Sequence, residues 1–410
     1  MAYIKRHFLR LFSTIDMEIS TLNSLMAANT SLIAQCHSAA ISLPALFGAN
    51  ITGVQAAPVT NFSFISTPAL AYTKSVFSEL DFCNITVSYT HPGRMDKISV
   101  TVYLPPVSKW NGRFATAGGS GWGARSLDGA MIPNLDAGFA VAETDAGVET
   151  NFFSSQAWAL LSPGNPDYNK LEVFASQALH DMTVIGKGVV ESFYGQPAGY
   201  SYWVGRSQGG RQGNMMAQRY PDDFDGILAM APAINWAQFF PGMGWPAQRM
   251  FEEKTYPRAC EFAAYRQAAL DACDALDGVK DGIISSPELC KFDPLSKVGD
   301  SFFCSDTNST MGFTVSSAKI VQDIWVGPRA TDGEFFWHGY AQDADLAPTS
   351  SVSCSNSTTN GSKKAEQSRT YWPLVLQQRK LLALVFSALI TFWSLMYVFP
   401  IIACCRTKIL

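Results

Sequence analysis

The chain has 410 residues, 47% of them hydrophobic, 12% aromatic and only 16% charged, so it can bury a large core and is not a disordered polymer. A net charge of -4 leaves no basic footprint for nucleic acid. None of its nine cysteines forms a C-x-x-C pair, which removes the commonest zinc arrangement.

Residues 1–60 mix short apolar runs with Ser, Thr and Asn and read as a helix or two, with an N-terminal arm over 1–42 and a core beginning at 43. Met1 to Phe12 is basic and aromatic, but no clean apolar core and cleavage site follow it. Period-two alternation in Cys83–Tyr89 and Ile98–Leu104 predicts strands of an antiparallel sheet edge. Arg113–Ala117 predicts a strand leading into the bare loop Gly118-Gly119-Ser120-Gly121-Trp122-Gly123, where backbone N–H groups can approach a ligand oxygen. Phe139–Asp145 predicts another buried strand, and Leu171–Tyr194 a helix containing His180.

Next comes Gly205-Arg206-Ser207-Gln208-Gly209, a G-x-S-x-G run between an apolar strand and an amphipathic helix. In that context small neighbours let a strained turn expose a serine hydroxyl, which makes Ser207 the nucleophile candidate. A glycine-rich turn that merely packs closely is the alternative. Phe224–Pro232 adds a core strand, and the alternation of strands and helices over 43–234 predicts a parallel sheet covered by helices, an α/β fold.

Over 235–361 the chain turns aromatic, cysteine-bearing and loop-rich, as expected of an inserted lid domain. Asp274, Asp277 and Asp281 punctuate two Asp-Gly pairs there, and with the carbonyls of Val279 and Ile283 they could wrap a hard cation such as Ca²⁺, or else form solvated turns. A linker, 362–380, precedes 381–405, which carries no charge and is long enough to cross a bilayer as a C-terminal transmembrane helix, with a buried core helix as the alternative. Seven Asn-x-Ser/Thr acceptors, at Asn29, Asn50, Asn61, Asn84, Asn308, Asn356 and Asn360, together with the cysteines predict a glycoprotein on the secretory route, its main domain extracellular.

Taken together, the Ala117–Trp122 loop, His180, Gly205 to Gly213, the Tyr220–Ile227 segment with Ala231-Pro232-Ala233, and the Cys273–Gly282 loop resemble the tannase and feruloyl esterase family. The resemblance implies an α/β-hydrolase fold with a lid, and a serine acylated by phenolic-acid esters, small or polysaccharide-linked. It implies a structural Ca²⁺ held by Asp274, Asp277, Val279, Asp281 and Ile283. The oxyanion site would use backbone N–H groups of Gln208, Gly119 and Ser120. With the spacing, it also suggests the disulfides Cys36–Cys83, Cys260–Cys273 and Cys290–Cys304. The family has a cysteine before its nucleophile where this chain has Arg206, and its catalytic acid and histidine follow the lid in a stretch this chain does not show. Only His338 follows Ser207, in a lid-like context, so a membrane-tethered, inactive homologue that binds such esters is the competing expectation.

Overall fold

The computed structural model describes residues 32, 34–43, 45–66, 76–126, 129–148, 155–350, 353–355 and 364–366. They fall into two compact units, Met1–Leu161 with Asp167–Ala233, and Ser162–Pro166 with Ile234–Leu410.

The first unit is built on a seven-stranded sheet. Strands β1 (Asn50–Ile65), β2 (Val76–Thr90) and β3 (Ile98–Leu104) form an antiparallel flank. Strands β4 (Arg113–Ala117), β5 (Ala140–Thr144), β6 (Tyr200–Arg206) and β7 (Gly226–Met230) continue it in the order β5-β4-β6-β7 as parallel neighbours. β5 is wholly buried, as expected of a strand covered on both faces. Helix α1 (Ala178–Tyr194) buries Ala178, Met182, Ile185 and Val189, spaced three and four apart, and ends on a left-handed Gly195. Ahead of it the chain is already helical at Tyr168–Glu172 and widens into a π turn over Val173–Gln177.

Strand β1 corrects the reading of residues 1–60. It has no buried residue and its register slips at Ile51/Gly53, Val59/Phe62 and Phe62/Phe64, so no hydrophobic alternation announces it.

The second unit is more helical than its sequence suggests. Helix α3 (Trp236–Glu252) contains Pro241 and Pro246, which disguise it. Helix α2 (Gln208–Arg219) follows Ser207 in the first unit; in the second, α4 (Ala259–Cys273) and α5 (Val315–Val326) bury Phe262, Tyr265, Ile320, Val321 and Ile324 in one core with Met250 and Phe313.

All six expected cysteines are bridged, and Cys36–Cys83 is as expected, but the other two pairs are Cys260–Cys304 and Cys273–Cys290. The expected Cys260–Cys273 and Cys290–Cys304 pairs are corrected for a simple reason. Cys260 and Cys273 stand near opposite ends of α4, and at ~1.5 Å rise per residue they lie roughly 20 Å apart, far beyond the reach of a disulfide. No helix among the described residues is long and apolar enough to cross a membrane, and 381–405 lies outside the described residues.

Candidate active site

Ser207 sits between β6 and helix α2 (Gln208–Arg219), at φ 58° and ψ -114° with its side chain exposed. That backbone conformation costs an L-residue on the order of 1–3 kcal/mol and persists only where the surroundings impose it. The imposing contacts are backbone ones. Ser207 N–H donates to Met230 O at 3.0 Å, and its carbonyl accepts from Arg211 at 3.0 Å and Ala233 at 3.1 Å. Glycine is required at Gly205, where a Cβ would meet Gly209 O at 2.3 Å, and at Gly118, where it would meet Gly209 Cα at 2.5 Å. Beneath the turn, fully buried Trp203 donates its indole N–H to Gly209 O at 2.9 Å.

The Gly-rich loop is tied to the same turn. Gly118 N–H donates to Val204 O, and Gly209 N–H to Gly119 O. Gln212, 0% exposed, reaches back from α2: its Oε1 accepts from Gly119 N–H at 2.8 Å and its Nε2 donates to Ala124 O at 3.1 Å. This engagement bears on the oxyanion expectation. Gly119 N–H is already committed to Gln212, whereas the N–H groups of Ser120 and Gln208 have no partner among the described residues. Nothing in the sequence marks Gln212, because a polar residue on a helix ordinarily faces water; only its burial shows the clamp.

Gln208 and Arg211 are the other buried polar residues of α2, and they are bonded to each other. Arg211 Nε donates to Gln208 Oε1 at 2.8 Å, its Nη1 donates to Ala175 O at 3.0 Å in the π turn, and its guanidinium lies over Phe174. Burial pulls its pKa down to about 10.

Two histidines of this unit, His91 and His180, are engaged elsewhere. His91 is buried between two carboxylates, with Nδ1 2.6 Å from Asp96 and Nε2 3.1 Å from Asp181. Burial pushes Asp181 above the usual carboxylate range. Burial pushes Asp96 the same way, but hydrogen bonds from the His91 backbone and ring and from the Thr90 hydroxyl hold it below that range. His180 Nδ1 lies 2.8 Å from Asp223 and its ring stacks on Tyr220; the Asp223 hydrogen bond raises the imidazole pKa.

In the second unit the aspartate loop closes on itself. Asp274 accepts from Gly282 N–H at 3.0 Å, Asp277 from Val279 at 3.0 Å and Ser285 at 2.9 Å, and Asp281 from Ile283 at 3.1 Å. The Val279 and Ser285 donors hold the Asp277 carboxyl below its ordinary pKa. Gly278 and Gly282, at φ +93° and +83°, make the two turns. Three carboxylates and two carbonyls in one loop are hard oxygen donors of the kind Ca²⁺ takes, so the donor set fits the ion. The three carboxylates do not bring an oxygen each within 4.8 Å; among the described residues that holds only for Cys260, Cys304 and Asp306. The first two are bonded to each other and offer no thiolate.

The family model "Tannase and feruloyl esterase" matches residues 83–378. A probable feruloyl esterase of Arthroderma benhamiae is 46% identical over 258 residues, 63% of this chain and 48% of that protein. The tannase of Aspergillus oryzae is 36% identical over 245 residues, 58% of this chain and 41% of that protein. The solved tannin acyl hydrolase from Aspergillus niger superposes with a TM-score of 0.71 at 24% identity, covering 88% of this chain and 68% of that one, and supports an α/β-hydrolase-like fold. This chain spans about half the length of the curated relatives it matches. With most of its length matched by the family model, from β2 through the Ser207 turn and the aspartate loop, the chain belongs to the tannase and feruloyl esterase family.

Proposed function

We propose that the chain is built as a serine carboxylic ester hydrolase for phenolic-acid esters, with Ser207 as nucleophile. The observation that carries this reading is the exposed Ser207 at φ 58°, pinned by backbone bonds to Met230, Arg211 and Ala233 in the turn whose Gly209 bonds the Gly-rich loop. Ser207 Oγ would attack the ester carbonyl carbon and lose its proton to a base, which hands it to the alkoxide oxygen as the C–O bond breaks; the alcohol leaves and water then cleaves the acyl-enzyme to the acid. The developing oxyanion would rest on the N–H groups of Ser120 and Gln208, donors of a kind worth ~10²–10³ in rate each. The aspartate loop would hold a structural Ca²⁺ through Asp274, Asp277 and Asp281 and the carbonyls of Val279 and Ile283. Disulfides fit an oxidising, secretory compartment, and 381–405 would anchor the domain on the outer face of a membrane.

A second reading, a binding homologue without turnover, is favoured by one observation: neither His91 nor His180 hydrogen-bonds to Ser207, and both hold carboxylates instead. Hydrolysis of methyl ferulate by the full chain, beside Ser207→Ala, tests the first reading. Slow turnover that disappears in the variant is expected; a rate unchanged by the substitution overturns the nucleophile. Saturable binding of the ester with no turnover in either protein would establish the second.

A further inference from the structure

A strand at the edge of a sheet exposes unpaired N–H and C=O groups and invites pairing with another chain, so edges are blunted by charge, proline, bulges or a cover. Strand β1 is such an edge: it stands first in the sheet and, among the described residues, is bonded to β2 alone. It is 16 residues long, has no buried residue, and its sequence NITGVQAAPVTNFSFI contains no charge at all. Pro58 and three register slips interrupt it, but the usual lysines and glutamates are missing.

What β1 has instead is two Asn-x-Ser/Thr acceptors, one at each end of its run. Asn50-Ile51-Thr52 opens the strand, and Asn61-Phe62-Ser63 sits at the bulge where Asn61 has φ 54° and its N–H donates to Asp81. In both, the asparagine and the hydroxyl residue are exposed. A third acceptor, Asn308-Ser309-Thr310, is exposed at the hairpin joining β8 (Ser301–Cys304) to β9 (Ser309–Gly312), again with positive φ. The fourth is different. Asn84 lies inside β2, paired with Ala57 on one side and Tyr103 on the other, and its Oδ1 is buried with no partner among the described residues.

We propose that Asn50, Asn61 and Asn308 carry N-linked glycans, that Asn84 does not, and that the two glycans on β1 shield the open edge of the sheet. In the transfer each side-chain nitrogen bonds to the anomeric carbon of a lipid-diphosphate-linked oligosaccharide. The lipid diphosphate leaves with the bonding pair, and the amide gives up one proton. A glycan on an exposed edge residue displaces only water, whereas one on Asn84 would have to leave from a half-buried position in an inner strand, where the side-chain oxygen is already closed to water.

The test is peptide mapping of the full chain, made in a eukaryotic secretory host and deglycosylated by an amidase in heavy-oxygen water, which converts each occupied asparagine to a labelled aspartate. Label at Asn50, Asn61 and Asn308 but not Asn84 is expected; label at Asn84, or none at any of the other three, overturns the assignment. For the shielding, the Asn50→Gln, Asn61→Gln double variant should self-associate in sedimentation at concentrations where Asn308→Gln does not. A double variant no more associated than Asn308→Gln overturns it. Should the double variant fail to be secreted, enzymatic removal of the glycans from the folded chain supplies the same comparison.

Discussion

Gln212 offers the sharpest check on how the site is held together. Both of its side-chain hydrogen bonds end on backbone groups of the Gly-rich loop, Gly119 N–H and Ala124 C=O, in a place closed to water. A Gln212→Leu change of similar volume therefore strands one donor and one acceptor, at about 1–3 kcal/mol each, or roughly 2–6 kcal/mol together. For a unit of this size that is a fall in melting midpoint of roughly 4–24 °C. Gln212→Glu separates the two bonds. Its carboxylate can still accept from Gly119, but it faces the Ala124 carbonyl oxygen without a proton to share. Burial raises the folded pKa of such a glutamate above its unfolded ~4.3, so the acid form, which restores both bonds, is present at low pH and its stabilisation is lost as pH rises through the folded value. Calorimetric melting of wild type and both variants across that pH range is the assay. A Gln212→Leu midpoint within a degree of wild type, or a Gln212→Glu profile parallel to wild type, refutes the clamp.

Three further outcomes are expected. Gly205→Ala puts a Cβ 2.3 Å from Gly209 O and should cost at least ~1–3 kcal/mol, whereas Gly53→Ala meets nothing within 4 Å and should stay within about 0.5 kcal/mol; equal melting midpoints would contradict the turn geometry. Millimolar Ca²⁺ should raise the melting midpoint by binding only the folded loop, and Asp277→Ala should lose most of that rise; a full shift in the variant would exclude the aspartate loop as the site. Because Asp223 raises the folded pKa of His180 above the unfolded ~6.5, that stabilisation is complete below ~6.5 and fades as pH rises through the folded value. Asp223→Asn should flatten this part of the urea-midpoint profile, and an unchanged slope would count against the pair.

The parallel half of the sheet was legible because strands buried on both faces read as apolar runs, as Phe139–Ala142 does, and because the tight turn at Ser207 needs small residues at fixed places. The elements that hid are those whose burial is one-sided or absent. β1 only half-buries one side and carries register slips, and α3 carries two prolines, so neither shows the period that marks its class. Cysteine spacing could not choose among the pairings either. The decisive fact, that Cys260 and Cys273 share one helix, belongs to the local structure and not to the count of intervening residues.

The histidines show where spacing misleads about chemistry. His180 with Asp223 has the contact of a base with its orienting carboxylate, yet Asp223 follows the C-terminal end of α2 while Ser207 precedes its N-terminal end. A helix of 12 residues is ~18 Å long, so the dyad stands about a helix length from the hydroxyl it would have to activate. His91 is spoken for at both nitrogens, with Asp96 on one and Asp181 and Gln177 on the other, and it is sealed from solvent. Each pair anchors α1, one to the turn after β2 and the other to the segment after α2, and that is a packing role. What these residues secure is the position of the helix that covers the sheet and, through the preceding π turn and Arg211, the flank of α2 on which Gln208 and Gln212 must be held. On the proposed reading, the strained serine and its clamped loop would need a proton acceptor other than His91 or His180.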